Sequence, residues 1–584
     1  MGVGDISLAC ATGLVDALAG RGVREACVSP GSRSTPVALA LARDERIRVH
    51  VHLDERGAAF FALGLAKASG TPVALACTSG TAAAEYFPAI VEASQARVPL
   101  LVLTADRPPR LRGTGANQTI DQTELYGRYA RAYLEPPVPD TLEDAEAWFD
   151  AGVRAHDAAT GHPPGPVQVN APFEEPLVPD SQRASGWTRR AAPDGLGRAH
   201  DADAARTALG AFLERYAGRR GVIALGAGDP PVSLSLLALG TLLGWPVLAE
   251  PLSGLRLDAG QAGRALAAGQ LLIGDEEWLV RHRPEVVLQV GATPTTRATQ
   301  RLVTRADALI VLDRDHLSPD PEGHAERRIA LEPELFAALA WDDREALSID
   351  AVDHRWMEDW READLLARHA ADLLLDAWDE PFEGRVARDV ASFLPHGATL
   401  VIGSSTPIRD LDVFMTPRRP PRIWTAPDLL RIIGNRGASG IDGLVATTLG
   451  VAAGSPGSAY ALLGDLSFLY DASSFLWSSR LGLDAVFVVL ANGGGQIFSM
   501  LDQASLPEHE SLFTTPHPAS IGPLCAAASA GYARVERAGD LVSALERAAR
   551  EGGVQVVEVA IDAERDRARR AELGAAVSIA LAGR

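Results

Sequence analysis

At 584 residues the chain is too long for one hydrophobic core and implies roughly three domains of about 150–200 residues each. Its composition, 47% hydrophobic and 22% charged, is that of an ordinary globular protein; no apolar run reaches the roughly 18–20 residues of a membrane span, and a net charge of −20 argues against a nucleic-acid partner. Four scattered cysteines with no CxxC pair, and residues 1–10 without a basic leader and apolar stretch, point to a reduced cytoplasmic protein with no disulfide frame, zinc site or export signal.

The first unit, 1–185, alternates strands and helices. Segment 48–53 (RVHVHL) alternates polar and apolar residues and predicts a strand, and 58–69 has helical spacing that stops at Gly70. Segments 72–77 and 99–105 predict buried strands flanking a helix over 79–95, and 167–170 closes the unit. The Arg-, Pro-, Gly- and Asp-rich stretch 181–203 reads as a linker. A second unit, 186–370, has strands predicted over 221–225, 246–249, 285–290 and 308–312, and is read as structural. A charged, Trp-containing helical stretch over 350–378 leads into a third unit, 371–584, with strands over 399–403, 459–463, 485–490 and 554–559. The fold class is therefore α/β, three consecutive α/β domains with mostly parallel sheets. No sequence identity is evident among the three, so a repeat would be one of structure only.

Chemistry enters at two strand ends. Gly464-Asp465-Leu466-Ser467 follows one apolar strand, and Asn492-Gly493-Gly494-Gly495 ends the next. Each alone reads as a turn. In a parallel sheet, however, neighbouring carboxyl ends share one crevice, so Asp465 and Asn492 can both offer hard oxygens there. Magnesium prefers such oxygens and commonly shares them with phosphates, which the glycines allow to approach the backbone closely. Lys67 is the only lysine, which leaves Schiff-base or phosphate-gripping lysine chemistry without a natural candidate.

The Gly-Asp and Asn pair resembles the signature of thiamine-diphosphate enzymes, Gly-Asp-Gly followed by Asn-Asn, although Leu466 and Ala491 depart from it. The blocks SPGSRSTP (29–36), DERGAAFFALGLAK (54–67), TSGTA (78–82), LTADRPP (103–109), GANQTI (115–120), NRGASGIDG (435–443), GDLSFLYD (464–471) and GGGQIF (493–498) resemble one branch of that superfamily. That branch is the 2-succinyl-5-enolpyruvyl-6-hydroxy-3-cyclohexene-1-carboxylate synthases of menaquinone (or phylloquinone) biosynthesis. The resemblance implies thiamine-diphosphate-binding folds in the first and third domains, with Mg2+ or Mn2+ as the metal. It also implies decarboxylation of 2-oxoglutarate and 1,4-addition of the succinyl carbanion to isochorismate.

Site residues follow from the same resemblance. Glu55 matches the carboxylate that drives the aminopyrimidine to its imino tautomer, a hydrogen bond that gains strength in a dry site. Asp465, Asn492 and Gly494 match the metal ligands. Cofactor contacts are implied for Ser405, Ile441 (the apolar wedge), Gly464, Leu466, Ser467, Gly495, Ile497 and Phe498. Both proposed substrates carry two carboxylates, which guanidinium groups grip in bidentate fashion. Ser405, Arg409 and Arg436 are matched to the 2-oxoglutarate-derived end, and Ser32, Arg33, Asn117 and Gln118 to isochorismate. Arg107 joins the substrate set, as does Arg297, where relatives can carry lysine. Superfamily members place the two cofactor domains on different protomers, which implies a homodimer or a dimer of dimers.

His50 and His52, at i,i+2, share one sheet face and are read as packing or solvent-facing residues. The motif blocks hold no paired histidine at a turn, as in a site that spares a carbanion from protons. The rivals are another thiamine-diphosphate decarboxylase or carboligase, which would carry the full Gly-Asp-Gly, and an inactive homologue serving as a binding subunit, against which Glu55, Asp465 and Asn492 count. A nicotinamide dehydrogenase is excluded by the lack of a GxGxxG followed by an acidic residue.

Overall fold

The computed structural model describes residues 2–180, 187–190, 202–228, 234–258, 264–314, 320–343, 352–419 and 430–583; most of the expected 181–203 linker lies outside them. The first sheet contains β1 (Glu25–Val28), β2 (Arg48–Val51), β3 (Val73–Cys77), β4 (Leu100–Asp106), β5 (Tyr133–Leu134) and β6 (Val167–Pro172) in the order β2-β1-β3-β4-β6-β5. The second holds β7 (Gly221–Leu225), β8 (Val247–Ala249), β9 (Val286–Val290), β10 (Ala308–Leu312) and β11 (Ala325–Ile329), ordered β11-β10-β9-β7-β8. The third holds β12 (Thr399–Ile402), β13 (Arg431–Gly434), β14 (Ala459–Gly464), β15 (Ala485–Ala491), β16 (Gly531–Val535) and β17 (Val554–Ala560), ordered β13-β12-β14-β15-β17-β16. Every pairing between these strands is parallel.

The first and third sheets thus repeat one winding order without repeating sequence. In both, the order turns back between the first and third strands of the unit, and ligands bind outside the carboxyl ends at such a switch point. The central strands are largely apolar because helices cover both faces; β3 (VALAC) and β4 (LLVLTAD) are buried at every residue. The strands that patterning did not predict are β1, β5, β11, β13 and β16. Four of these are sheet edges with mixed polar sequences, and β1 is only four residues long.

The helix expected over 79–95 is instead two, Thr81–Glu85 and Phe87–Gln95, with Pro88 opening the second. A proline cannot donate a helical hydrogen bond and its ring clashes with the preceding turn, so the chain re-initiates there. The seam expected at 370/371 falls inside the helix His354–Ala377, whose buried Trp356, Trp360, Ala371 and Leu375 all join the central domain's core. The carboxy-terminal helix Ala563–Leu581 packs into that same core through Leu573, Val577 and Leu581. Val3–Gly20, whose apolar residues are interrupted by Asp5 and Asp16, is by length and composition apolar enough to cross a membrane, but most of it is buried in the core of the first domain.

The first and third domains share one apolar cluster, built where the helix Glu55–Ser69 lies on the helix Leu444–Gly454. Gly64 permits this approach, since a Cβ there would lie 2.1 Å from the carbonyl oxygen of Thr447. Packing fixes the Glu55 end of the helix at the same time. Asp54 accepts hydrogen bonds from the backbone amides of Arg56 and Gly57, capping the helix, and from Ser473 of the third domain.

His50 and His52 pack against the ring of Phe61, at 5.1 and 4.4 Å between centroids, and His50 Nε2 lies 2.8 Å from Glu25 Oε2. Burial, reinforced by His50 and opposed by Asp54, pushes His52 down to about 4 from an ordinary 6.5. The unfolded chain therefore binds this proton first as pH falls. The folded state keeps its full stability above about 6.5 and loses on the order of 3 kcal/mol by the time pH reaches about 4. Urea denaturation of His52→Gln should show a shallower loss between pH 7 and 4.5 than the parent; an equally steep loss would place the acid sensitivity elsewhere.

Candidate active site

The carboxyl ends of β14 and β15 bring the two expected metal-binding residues together. Gly464 pairs with Leu490 across the strands, so the residues that follow leave the sheet side by side. Asp465 is buried, and its Oδ1 accepts from the Leu466 amide at 2.7 Å. Its Oδ2 accepts from the amides of Gly493 and Gly494 at 2.8 and 3.1 Å. Burial raises the Asp465 carboxyl, against these donors and His517. Asn492 turns its oxygen toward the Gly494 amide at 3.3 Å, while its Nδ2 donates to Glu383 at 2.7 Å.

Gly494 is a conformational necessity. Gly494 has φ +130, and a Cβ on it would lie 2.2 Å from the carbonyl oxygen of Thr514. A Cβ on Gly464 or Gly493 would meet only open space, so a cradle remains above the pair. Among the described residues no group of three or more His, Cys, Asp or Glu side chains is placed to hold a metal. Two hard oxygens beside an open glycine cradle suit a magnesium ion that completes its octahedron with diphosphate oxygens. The residues present therefore fit the expected cofactor.

Beyond the cradle, Gly495 donates to Thr514 at 2.7 Å, and Phe498 packs on Phe513 with 5.7 Å between ring centroids. Ile497 and Phe498 lie in the 3-10 turn Gln496–Met500, while Leu466 and Ser467 lie in the helix Asp465–Tyr470. His517 was not foreseen; its Nε2 lies 3.4 Å from Asp465 Oδ2. It escaped notice because it sits beyond the motif blocks, far from Asp465 in sequence.

Glu55 is half-buried at the first turn of its helix. Burial, with Asp54 and Glu85 adding to it, raises its carboxyl, while its own backbone amide works the other way. Its neighbours reach the third domain: the Arg56 guanidinium lies over the ring of Tyr470. Glu55 is thus fixed against the domain that carries Asp465.

Two clusters of arginine flank these positions. In the first domain, at the switch point between β1 and β3, Arg33 donates to Phe173 O at 2.9 Å and to Glu175 at 2.7 Å. Arg107 donates to Gln118 O at 2.8 Å and to the Ser79 hydroxyl. Burial and the nearby Arg33 both lower Arg107. Gln118, at φ +52, returns a bond from Nε2 to Ser79 O at 3.1 Å. Ser79 is therefore a hub that the block match contained but did not single out. Ser32 and Asn117 are exposed beside these segments.

The second cluster forms where the central and third domains meet. Arg409 donates to Ser405 O, and Ser405 itself holds φ +75, a strained value for a residue with a side chain. Burial lowers Arg409, and Arg436 and Arg297 add to the effect, so all three guanidinium groups lie within electrostatic reach. Arg436 lies 3.5 Å from the Ser404 hydroxyl. Buried Glu250 follows β8, accepts from the Thr295 amide at 3.2 Å and partly offsets the charge of Arg436. The central domain, read from sequence as structural, thus lends Glu250 and Arg297 to the cluster.

The loop bearing Arg436 and Ile441 is held from the first domain. Buried Glu92 accepts from the amides of Gly437 and Ala438 at 2.9 and 2.6 Å. The single lysine, Lys67, bridges Glu92, Gly434 O and Asn435 at 3.2, 2.9 and 3.1 Å. Ile441 remains 38% exposed, open to a ligand.

Residues 9–125 match the family model described as thiamine pyrophosphate enzyme, N-terminal TPP binding domain, and residues 421–559 match its C-terminal TPP binding domain counterpart. Among curated proteins, the chain is 42% identical to the 2-succinyl-5-enolpyruvyl-6-hydroxy-3-cyclohexene-1-carboxylate synthase of Thermobifida fusca, over 99% of each chain. It is 40% identical to the synthase of the same name from Chloroflexus aurantiacus, over 94% of this chain and 92% of the relative. With that from Halobacterium salinarum it shares 36%, over 97% of this chain and 98% of the relative.

Proposed function

Because the chain belongs to the 2-succinyl-5-enolpyruvyl-6-hydroxy-3-cyclohexene-1-carboxylate synthase family, we propose that its two arginine clusters divide the two substrates between them. The protein is a thiamine-diphosphate-dependent transferase of menaquinone biosynthesis, acting on 2-oxoglutarate and isochorismate. Bound thiamine diphosphate supplies the electron sink for decarboxylation. The chain's own residues bind, orient and move protons.

Arg409, Arg436 and Arg297, with Ser405, bind the carboxylates of 2-oxoglutarate. Their convergence at one domain junction is the observation that carries this assignment. Arg33, Arg107 and Gln118, with Ser32 and Asn117, bind isochorismate. Glu55 holds a proton against the aminopyrimidine nitrogen. Asp465, Asn492 and Gly494 hold Mg2+, or Mn2+ in its place. Gly464, Leu466, Ser467, Gly495, Ile497, Phe498 and Ile441 line the cofactor. The units 1–185, 186–370 and 371–584 then serve as pyrimidine, central and diphosphate domains, with the second seam moved past the helix that ends at Ala377.

A second copy of this chain covers a face next to Glu55. Val51, Leu53, Tyr470 and Leu476 are 48%, 64%, 50% and 43% exposed there. They are tied into one patch by the Trp477 bond to Val51 O and the stacking of Arg56 on Tyr470. Exposed apolar surface of this kind marks association sites, and the biosynthetic role of the family supports a cytoplasmic assembly.

Arg436→Lys tests the division of substrates. Losing a two-point carboxylate grip costs about 1.5–3 kcal/mol, so the KM for 2-oxoglutarate should rise roughly 10- to 100-fold. The KM for isochorismate should hold steady when CO2 release and isochorismate loss are followed together. A rise confined to isochorismate would reverse the assignment.

A further inference from the structure

Asn492 can serve a metal only if its amide oxygen, and not its nitrogen, faces the cradle. Nothing in the side chain's shape decides this, because the two ends of an amide are nearly isosteric. A partner must choose. The closer of the side chain's two partners is Glu383, at the start of the helix Glu383–Phe393, whose Oε1 accepts from Asn492 Nδ2 at 2.7 Å; the Gly494 amide donates to Oδ1 at the longer 3.3 Å. Both side chains are buried, Glu383 at 2% and Asn492 at 8% exposed. A carboxylate offers acceptors alone, so Nδ2 is drawn away from the cradle and Oδ1 is left facing it.

Glu383 is itself held by two further partners, Arg570 and Asp566. Arg570, on the carboxy-terminal helix, donates to Glu383 Oε2 at 3.2 Å, to Asp566 at 2.7 Å and to both oxygens of Asp410. The Glu383 backbone amide donates to Asp566 Oδ1 at 2.9 Å. Asp410 directly follows Arg409 in the helix Thr406–Phe414. One arginine therefore joins the metal corner to the helix that carries an oxo-acid arginine.

We propose that Glu383 is a positioning residue for the metal: it fixes the Asn492 amide oxygen-inward, and Arg570 locks it in place. The inference rests on the reading of Asp465 and Asn492 as metal ligands. Second-layer partners of this kind typically govern metal affinity by about 10- to 100-fold when removed.

Glu383→Gln keeps the volume, but Arg570 can only donate and draws the one remaining oxygen, leaving the amide nitrogen to face Asn492 and inviting Asn492 to turn its own nitrogen toward the metal. The half-saturating Mg2+ concentration for thiamine-diphosphate binding, followed by tryptophan fluorescence at pH 8, should rise at least tenfold. A second change then separates orientation from structure. In Glu383→Gln/Asn492→Asp the hydrogen bond re-forms with its donor reversed, and the carboxylate can show the metal only oxygen. The double variant should recover most of the parent's Mg2+ affinity. Asn492→Asp alone, which sets two carboxylates face to face, should bind Mg2+ more weakly than the double variant.

If Glu383→Gln keeps the parent's Mg2+ midpoint, or the double variant recovers nothing, the positioning role is refuted. Should the single variant fail to fold, the comparison of the double variant with Asn492→Asp decides by the same ranking. A parent protein whose thiamine-diphosphate binding ignores Mg2+ would instead overturn the metal reading itself.

Discussion

Glu55→Gln should lower kcat by about 10³-fold, within the roughly 10²–10⁴-fold span that a positioned proton-transfer group contributes. The substitution changes one oxygen for an amide nitrogen and leaves the surrounding structure intact. Asp54 still caps the helix through the Arg56 and Gly57 amides, and Ser473 still bonds to Asp54. The metal corner, on another sheet, keeps all its contacts. Cofactor binding and thermal unfolding should therefore stay close to those of the parent while turnover collapses. Were Glu55 merely a charged residue of the surface, the opposite would follow, since exposed charge pairs contribute only about 0–1 kcal/mol and their loss would leave turnover within a few-fold. An inactive binding subunit would show no turnover in either form. CO2 release and isochorismate loss, measured on the same samples, distinguish the three cases.

Asp465→Ala should abolish Mg2+-dependent thiamine-diphosphate binding, and with it activity. The side chain does two jobs at once. In the proposed site it offers the metal a hard oxygen, and in the structure it gathers the amides of Leu466, Gly493 and Gly494. Without it, the Leu466 and Gly493 amides lose this acceptor and Gly494 keeps only its longer bond to Asn492, at about 1–3 kcal/mol for each amide left unpaired. Asp465→Asn retains an acceptor while losing the charge, so it should bind the cofactor weakly, between the parent and the alanine variant. Calorimetric titration of cofactor at fixed Mg2+ reads this order directly. Alanine and parent proteins with equal affinity would remove Asp465 from the site.

Much of this protein was legible in its residues. Central strands such as β3 and β15 are unbroken apolar runs, because a sheet covered on both faces has little room for polar side chains. The pairing of Asp465 with Asn492 was also legible, since both residues end consecutive strands of a parallel sheet. Edge strands β11 and β16 were not, because one exposed flank lets charged and polar residues in and erases the pattern. The break at Tyr86 lay in plain sight at Pro88, but helical periodicity on either side of it concealed the restart.

By itself, then, the sequence determined the α/β class, the succession of three α/β units and the family, and it nominated the residues of the proposed site. All of these rest on local patterning or on contiguous motifs. The tertiary structure alone decided what no short window contains. It brought Arg297 and Glu250 of the central domain to Arg409 and Arg436, placed His517 beside Asp465, and used Lys67 and Glu92 to hold the Arg436 loop. It also set Glu383 on Asn492, 109 residues away in the chain. Sequence records which groups are present; only chain packing determines which of them share a buried space, where hydrogen bonds and charges are strong enough to orient one another.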